Sequence, residues 1–161
     1  MSAAAALIGF VILERLAELA LAARNQRRLI ARGAVEIGAG HYPLIVATHV
    51  LFLAALAWLG YDQPVQPVWL AVFALLQVAR VWTMATLGER WTTRILVLPG
   101  APLVTAGPYR FIRHPNYAIV IGEIAVLPLA LGLPWLALIF SLLNAAVLVI
   151  RIRSENAALA Q

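Results

Sequence analysis

The sequence predicts an all-α integral membrane protein with about five transmembrane helices, and three observations carry that reading. Of the residues, 63% are apolar and only 12% charged, with a mean hydropathy of +0.90. An ordinary soluble domain holds about 45–50% apolar and about 25% charged residues. Five apolar segments approach the ~20 residues that a helix needs to cross a ~30 Å hydrocarbon core. The arginines, finally, fall into alternate loops. A length of 161 residues suits a single domain, 1–161.

The first segment runs from about Ala3 to Ala23. The N-terminus lacks a basic n-region and its arginines follow the apolar run, so it reads as a retained helix rather than a signal peptide. Glu14, Arg15 and Glu18 lie in its middle, where a charge costs ~2.5–3.5 kcal/mol on insertion. They must therefore face the bundle interior. Arg15 and Glu18 are i,i+3 neighbours, and Gln77, Arg80 and Glu123 are further candidates for the same network. That network either knits the helices together or forms the polar wall of a substrate or cofactor cavity.

The second segment spans about Tyr42–Leu59, with His41 and His49 flanking it; no third ligand has suitable spacing, so no metal is expected. The third spans about Val68–Leu87. From Gly88 to Pro115 comes the longest stretch without helical character. Within it, "ILVLPGAPLVTAG" reads as a short β-hairpin turned at Pro99-Gly100, a type II pair. A loop this long and this patterned points to function rather than to a linker. Segments four and five, about Tyr117–Leu131 and Pro134–Ile150, form a tight helical hairpin across Gly132 and Leu133. Pro128 should kink or shorten the fourth; Pro134 suits the first turn of the fifth, where its missing N–H costs nothing. Trp58, Trp69, Trp82, Trp91 and Trp135 fall near predicted interfaces, as an aromatic belt requires.

All 12 basic residues other than histidine are arginine. The first loop holds Arg24, Arg27, Arg28 and Arg32; the third holds Arg90, Arg94, Arg110 and Arg113; the tail after segment five holds Arg151 and Arg153. The second and fourth loops hold none. The positive-inside rule then places the N-terminus outside and the C-terminus in the cytoplasm, after five spans. The net charge of +5 invites a nucleic-acid reading, but the arginines sit at the ends of apolar segments and no nucleic-acid motif accompanies them. Absence of cysteine excludes disulfides and thiolate chemistry. No Gly-x-Gly-x-x-Gly, Gly-x-Ser-x-Gly or His-Glu-x-x-His pattern occurs.

The densest polar cluster is "TAGPYRFIRHPNYAIVIGE", residues 105 to 123. Tyr109, Arg110, Arg113, His114, Asn116 and Tyr117 read either as an interfacial anchor or as an anion site, because Pro115 and Asn116 open a helix whose N–H groups would lie beside His114. After segment five, Arg151 and Glu155 are i,i+4 and can pair, for a few tenths of a kcal/mol if exposed.

"LVTAGPYRFIRHPNY", preceded by "LGERW" and followed by a membrane hairpin and "RIRSENAAL", resembles the signature of the isoprenylcysteine carboxyl methyltransferase family over about residues 86–159. Phospholipid methyltransferases share the looser pattern. The resemblance implies an S-adenosylmethionine (SAM) site built from the cytoplasmic loop and the C-terminal tail. By position, Gly107, Tyr109, His114, Pro115, Tyr117, Glu155 and Asn156 would bind SAM. Arg151, with Arg113, would sit near the reacting groups. Asn156 stands where a second glutamate is usual; its amide keeps hydrogen-bonding capacity but removes a negative charge. The first half resembles a bacterial branch that O-methylates alkylresorcinols or alkylpyrones. The resemblance thus implies a lipophilic acceptor drawn from the bilayer of a bacterial inner membrane. Two other readings stay open: an NADPH-dependent membrane reductase of related architecture, and a non-enzymatic lipid-binding protein that clamps anionic headgroups.

Overall fold

The computed structural model describes residues 2–159; the side chains of residues 154 and 156–159 lie outside the described set. Five helices, α1 (Ala3–Ala31), α2 (Tyr42–Gly60), α3 (Pro67–Leu87), α4 (Pro115–Ala130) and α5 (Pro134–Leu159), carry two short strands, β1 (Val35–Ile37) and β2 (Ile95–Val97). The molecule is a mostly helical membrane protein. By length and composition, the stretches Ala39–Gly60, Pro67–Arg90 and Pro134–Arg153 can each cross a bilayer. The helix α4 is apolar but shorter, and α1 has the length but carries the three central charges.

Ser2 caps α1, its hydroxyl accepting from the Ala5 N–H at 3.0 Å. The helix continues past the expected end at Ala23 to Ala31, because its buried stripe continues: Glu18, Ala22, Asn25 and Leu29 repeat at helical spacing. The last helix likewise runs on through Arg151 and Glu155, so the tail is an extension of α5. Pro134 opens α5, as expected. Pro128 lies two residues before the end of α4, where its carbonyl accepts from Leu131 and Leu133 and closes the helix. This proline shortens α4 to 16 residues.

The expected hairpin does not form. Leu98 C=O accepts from the Ala101 N–H across Pro99-Gly100, with Gly100 at φ 74°, so the turn is the expected type. Yet β2 pairs antiparallel with β1 of the first loop, in register Val35↔Val97, Glu36↔Leu96 and Ile37↔Ile95. The would-be return strand contains Pro102, which has no N–H to donate to a ladder. Two loops distant in sequence are thereby stitched into one roof.

Between the helices, α4 packs against both α3 and α5, while α1 packs chiefly on α2. The apolar core gathers Ile8, Val11, Phe52, Leu56, Leu127 and Phe140, with Phe52 and Phe140 edge to face at 5.3 Å. Alongside it lies the expected charged network. Glu123 of α4 accepts from Arg80 Nε at 2.8 Å, from Gln77 Nε2 at 2.9 Å and from Arg15 Nη2 at 3.1 Å. Arg80 Nη2 also reaches the second oxygen of Glu123. Arg15 Nη1 binds Glu18 at 2.6 Å. Arg80 is only 2% exposed.

Removing one partner of a buried ion pair leaves the other charge uncompensated, which costs about 3–5 kcal/mol. Arg80→Met alone is therefore expected to destabilise the protein by about that amount. The double variant Arg80→Met/Glu123→Leu should recover part of the loss. Thermal unfolding in detergent, followed by circular dichroism, checks the ranking.

Candidate functional site

The helices bring their arginine-rich ends together, and the loop after α3, braced from outside by the first loop, covers a cavity of about 720 Å3. That size suits a small-molecule ligand, for which pockets run about 300–1,000 Å3. Its walls are the ends of α1 (Leu29) and α3 (Leu87), the roof from Arg90 to Thr105, the start of α4 and the extension of α5. Tyr109, Arg113, His114, Asn116, Tyr117, Arg151 and Glu155 all line it. Gly107 and Pro115 do not line it, and Asn156 falls outside the described side chains.

The centre of the site is the Tyr117 hydroxyl. It donates to Glu155 Oε2 and accepts from Arg151 Nε at 2.8 Å. The expected Arg151–Glu155 pairing is thus made through a tyrosine rather than directly. Arg151 Nη2 also donates to the Thr93 carbonyl at 2.9 Å, tying α5 to the roof. His114 stacks on the Tyr117 ring at 5.1 Å, with its Nδ1 3.7 Å from Glu155 Oε2. One carboxylate is thereby presented to the cavity by two neighbours, Tyr117 and His114. Tyr109 is held neutral: burial first, then the Glu155 charge, pushes its hydroxyl up to about 12. It remains a hydrogen-bond donor at physiological pH.

Gly107 has a conformational role. Its φ of +55° is left-handed, and a Cβ there would meet Thr86 Oγ1 at 2.4 Å. Only glycine lets the turn Gly107–Arg110 dock on α3 this closely. The α4 N-terminus, by contrast, is a weaker anion site than the sequence suggested. Pro115 has no N–H, and the N–H groups of Tyr117 and Ala118 already point to the His114 carbonyl. Arg113 is exposed at the rim of the cavity.

Sequence reasoning missed two groups. Trp91 was expected in the aromatic belt with Trp58, Trp69, Trp82 and Trp135, all of which are exposed. Trp91 instead is 4% exposed and lines the cavity, its carbonyl held by Asn25 Nδ2 at 2.9 Å. Its place in "LGERW", among charges rather than beside an apolar run, is the signal that marks it off. The other group is the roof's outer bracing. Arg94 binds Glu36 at 2.6 Å and covers the Tyr42 ring at 4.3 Å, and Tyr42 shares a hydrogen bond with Thr93. These contacts follow from the β1–β2 pairing, which no local pattern announces.

The lining fits a polar ligand that carries charges of both signs, with Glu155 set among Arg90, Arg94, Arg113 and Arg151. Three buried atoms at the cavity have no hydrogen-bond partner: Trp91 Nε1, His114 Nε2 and Asn116 Oδ1. Buried polar groups are nearly always satisfied, so these three await a ligand or ordered water. Together with Glu155 they offer a donor, acceptors and a negative charge in one space, which suits the ammonium, sulfonium and adenine groups of SAM.

The family model for the isoprenylcysteine carboxyl methyltransferase (ICMT) family matches residues 69–161. The chain belongs to this family of membrane methyltransferases. It is 42% identical to the uncharacterised protein YpbQ of Bacillus subtilis (strain 168), over 159 residues that cover 95% of this chain and 94% of that one. It is 27% identical to an uncharacterised protein of Haemophilus influenzae, over 90% of this chain and 88% of that one. No solved structure matches the chain significantly.

Tyr117→Phe removes the hydroxyl that joins Arg151 to Glu155. Hydrogen bonds to charged groups contribute about 1.5–3 kcal/mol, and a loss of stability in that range is expected in thermal unfolding. Glu155→Gln should lower the Tyr109 titration from about 12 without restoring the ordinary value, because burial remains. Tyrosinate absorbance, with Tyr109→Phe as the reference, reads this out.

Proposed function

We propose that this protein transfers a methyl group from SAM to an oxygen of a lipophilic acceptor, either an alkylresorcinol or alkylpyrone hydroxyl or a prenylcysteine carboxylate. The observation that carries the reading is the Tyr117-held Glu155, set beside three unpartnered polar atoms in one cavity. Family membership supports the methyl transfer. SAM supplies a methyl group activated on a sulfonium.

The chain's own residues bind, orient and exclude water. Glu155 offers its carboxylate to a cationic group, with Tyr117 and His114 fixing its rotamer. Trp91 and Asn116 present a donor and an acceptor from opposite sides of the sequence. The roof from Arg90 to Thr105 separates the cavity from the cytoplasm. Arg151 and Arg113 place positive charge at the cavity, which favours an acceptor oxygen in its anionic form. Positioning supplies much of the rate; well-oriented reactions gain ~7–11 kcal/mol.

The arginine asymmetry supports a five-span topology with the N-terminus outside and the site on the cytoplasmic face of a bacterial inner membrane. SAM reaches the cavity from the cytoplasm and the acceptor from the bilayer.

Calorimetry with SAM on detergent-purified protein tests the reading. Wild type should bind; His114→Ala and Glu155→Ala should each weaken binding by about 10–100-fold, the factor of one hydrogen bond to a charged group. A folded wild type that binds no SAM overturns the proposal, and binding of NADPH instead would favour a reductase.

A further inference from the structure

The extension of α1 to Ala31 reaches the wall of the cavity and grips it from behind. Asn25 is 1% exposed, and its Nδ2 donates to the Trp91 carbonyl at 2.9 Å and to the Gly88 carbonyl at 3.2 Å. Both partners are acceptors, so the amide can present only its NH2 group to them. Leu29, one turn further along the same buried stripe, lines the cavity itself. Arg28 and Arg32 bridge to Glu89 at 3.0 and 3.4 Å. All three of those side chains are more than half exposed, so water and salt weaken their hold. Asn25 is the buried part of the grip.

The segment it grips needs support from outside. At Gly88, which ends α3, a φ of +53° and a ψ of −120° turn the chain sharply. The short 3-10 turn Gly88–Arg90 follows, closed by the Trp91 N–H on the Gly88 carbonyl at 3.1 Å. Turns of this kind have poorer hydrogen-bond geometry than an α-helix. Asn25 adds a donor to the carbonyl at each end of the turn. The direction in which residue 91 leaves the backbone is thereby set from α1. Its side chain is buried and lines the cavity, where Nε1 has no hydrogen-bond partner.

We propose that Asn25 is a positioning residue for Trp91: by holding both ends of the Gly88–Trp91 turn, it aims the indole N–H at the ligand in the cavity. The assignment deepens the methyltransferase reading and rests on it for the identity of that ligand, SAM. Asn25 lies outside residues 69–161, the part that the family model matches. The first half of the chain thus has a task at the cofactor site. A leucine at position 25 would fill the same space but leave two buried carbonyls without this donor.

A double-mutant cycle tests the role. SAM affinity is measured by calorimetry for wild type, Asn25→Leu, Trp91→Phe and the double variant. Trp91→Phe removes the indole N–H and keeps an aromatic ring. Each single variant should weaken SAM binding by about 2–12-fold, the net value of one hydrogen bond. The double variant should bind no worse than Trp91→Phe, because Asn25 acts through that indole. A purely structural tie would lower the melting temperature and leave the affinity of the folded protein alone. Losses that multiply, or either single variant binding as wild type does, overturn the proposal. Asn25→Ala, which lets water reach the carbonyls, serves if the leucine variant does not fold. A second readout needs no SAM. With Trp58, Trp69, Trp82 and Trp135 replaced by phenylalanine, Trp91 is the sole tryptophan. Asn25→Leu should then shift its emission to the red and raise its quenching by acrylamide, while unfolding stays cooperative. Unchanged emission also overturns the proposal. Should wild type bind no SAM, the methyltransferase reading falls, and the emission of Trp91 decides the positioning role by itself.

Discussion

Arg80 cannot leave the interior of this bundle, and much of the structure is arranged around that constraint. A guanidinium in hydrocarbon must be paired and hydrogen-bonded. Glu123 grips it from α4 and Glu18 approaches from α1, while Gln77 of α3 and Arg15 of α1 donate in turn to Glu123. Because these partners lie on three helices, satisfying one charge fixes the relative height of all three. The ends of the same helices then come level at the face where Leu29, Leu87 and Tyr117 line the cavity.

From that platform the site is assembled by cross-bracing. Arg151 joins α5 to Tyr117 of α4 and to Thr93 of the roof. The two-stranded pairing and the Arg94–Glu36 bridge join the roof to the first loop. Each loop is tied to the other and to the helix ends. The first loop, none of whose residues lines the cavity, holds the roof in place.

The helices were legible in the sequence because each is a long apolar run bounded by arginine or proline, and α2 and α3 match their expected limits to within a residue or so. The extensions of α1 and α5 were less so, since arginine-rich helix continuing out of a membrane looks like a flank. The site's polar residues could be recognised from "GPYRFIRHPNY" and "RIRSENAAL". What joins them could not: the Tyr117 hydroxyl between Arg151 and Glu155, the burial of Trp91, and the pairing of Val35–Ile37 with Ile95–Val97 are long-range contacts. The hairpin expectation failed on Pro102, a residue visible in the sequence whose missing N–H argued against a return strand. The charged network was foreseen by the cost of its members, but that Glu123 is the acceptor on which Arg15, Gln77 and Arg80 converge emerges only when every partner is placed.

The proposed function joins a polar methyl donor held in the cavity to a lipid acceptor dissolved in the bilayer, so the two substrates must meet at the membrane surface. The most direct measurement is transfer of labelled methyl from SAM, added to proteoliposomes, to an alkylphenol dissolved in their bilayer. The account predicts label in the extracted lipid phase, abolished by Glu155→Ala, and little transfer to a short phenol that lacks the tail. SAM binding without any transfer to bilayer-dissolved acceptors, or equal transfer to the tailless phenol, would contradict it.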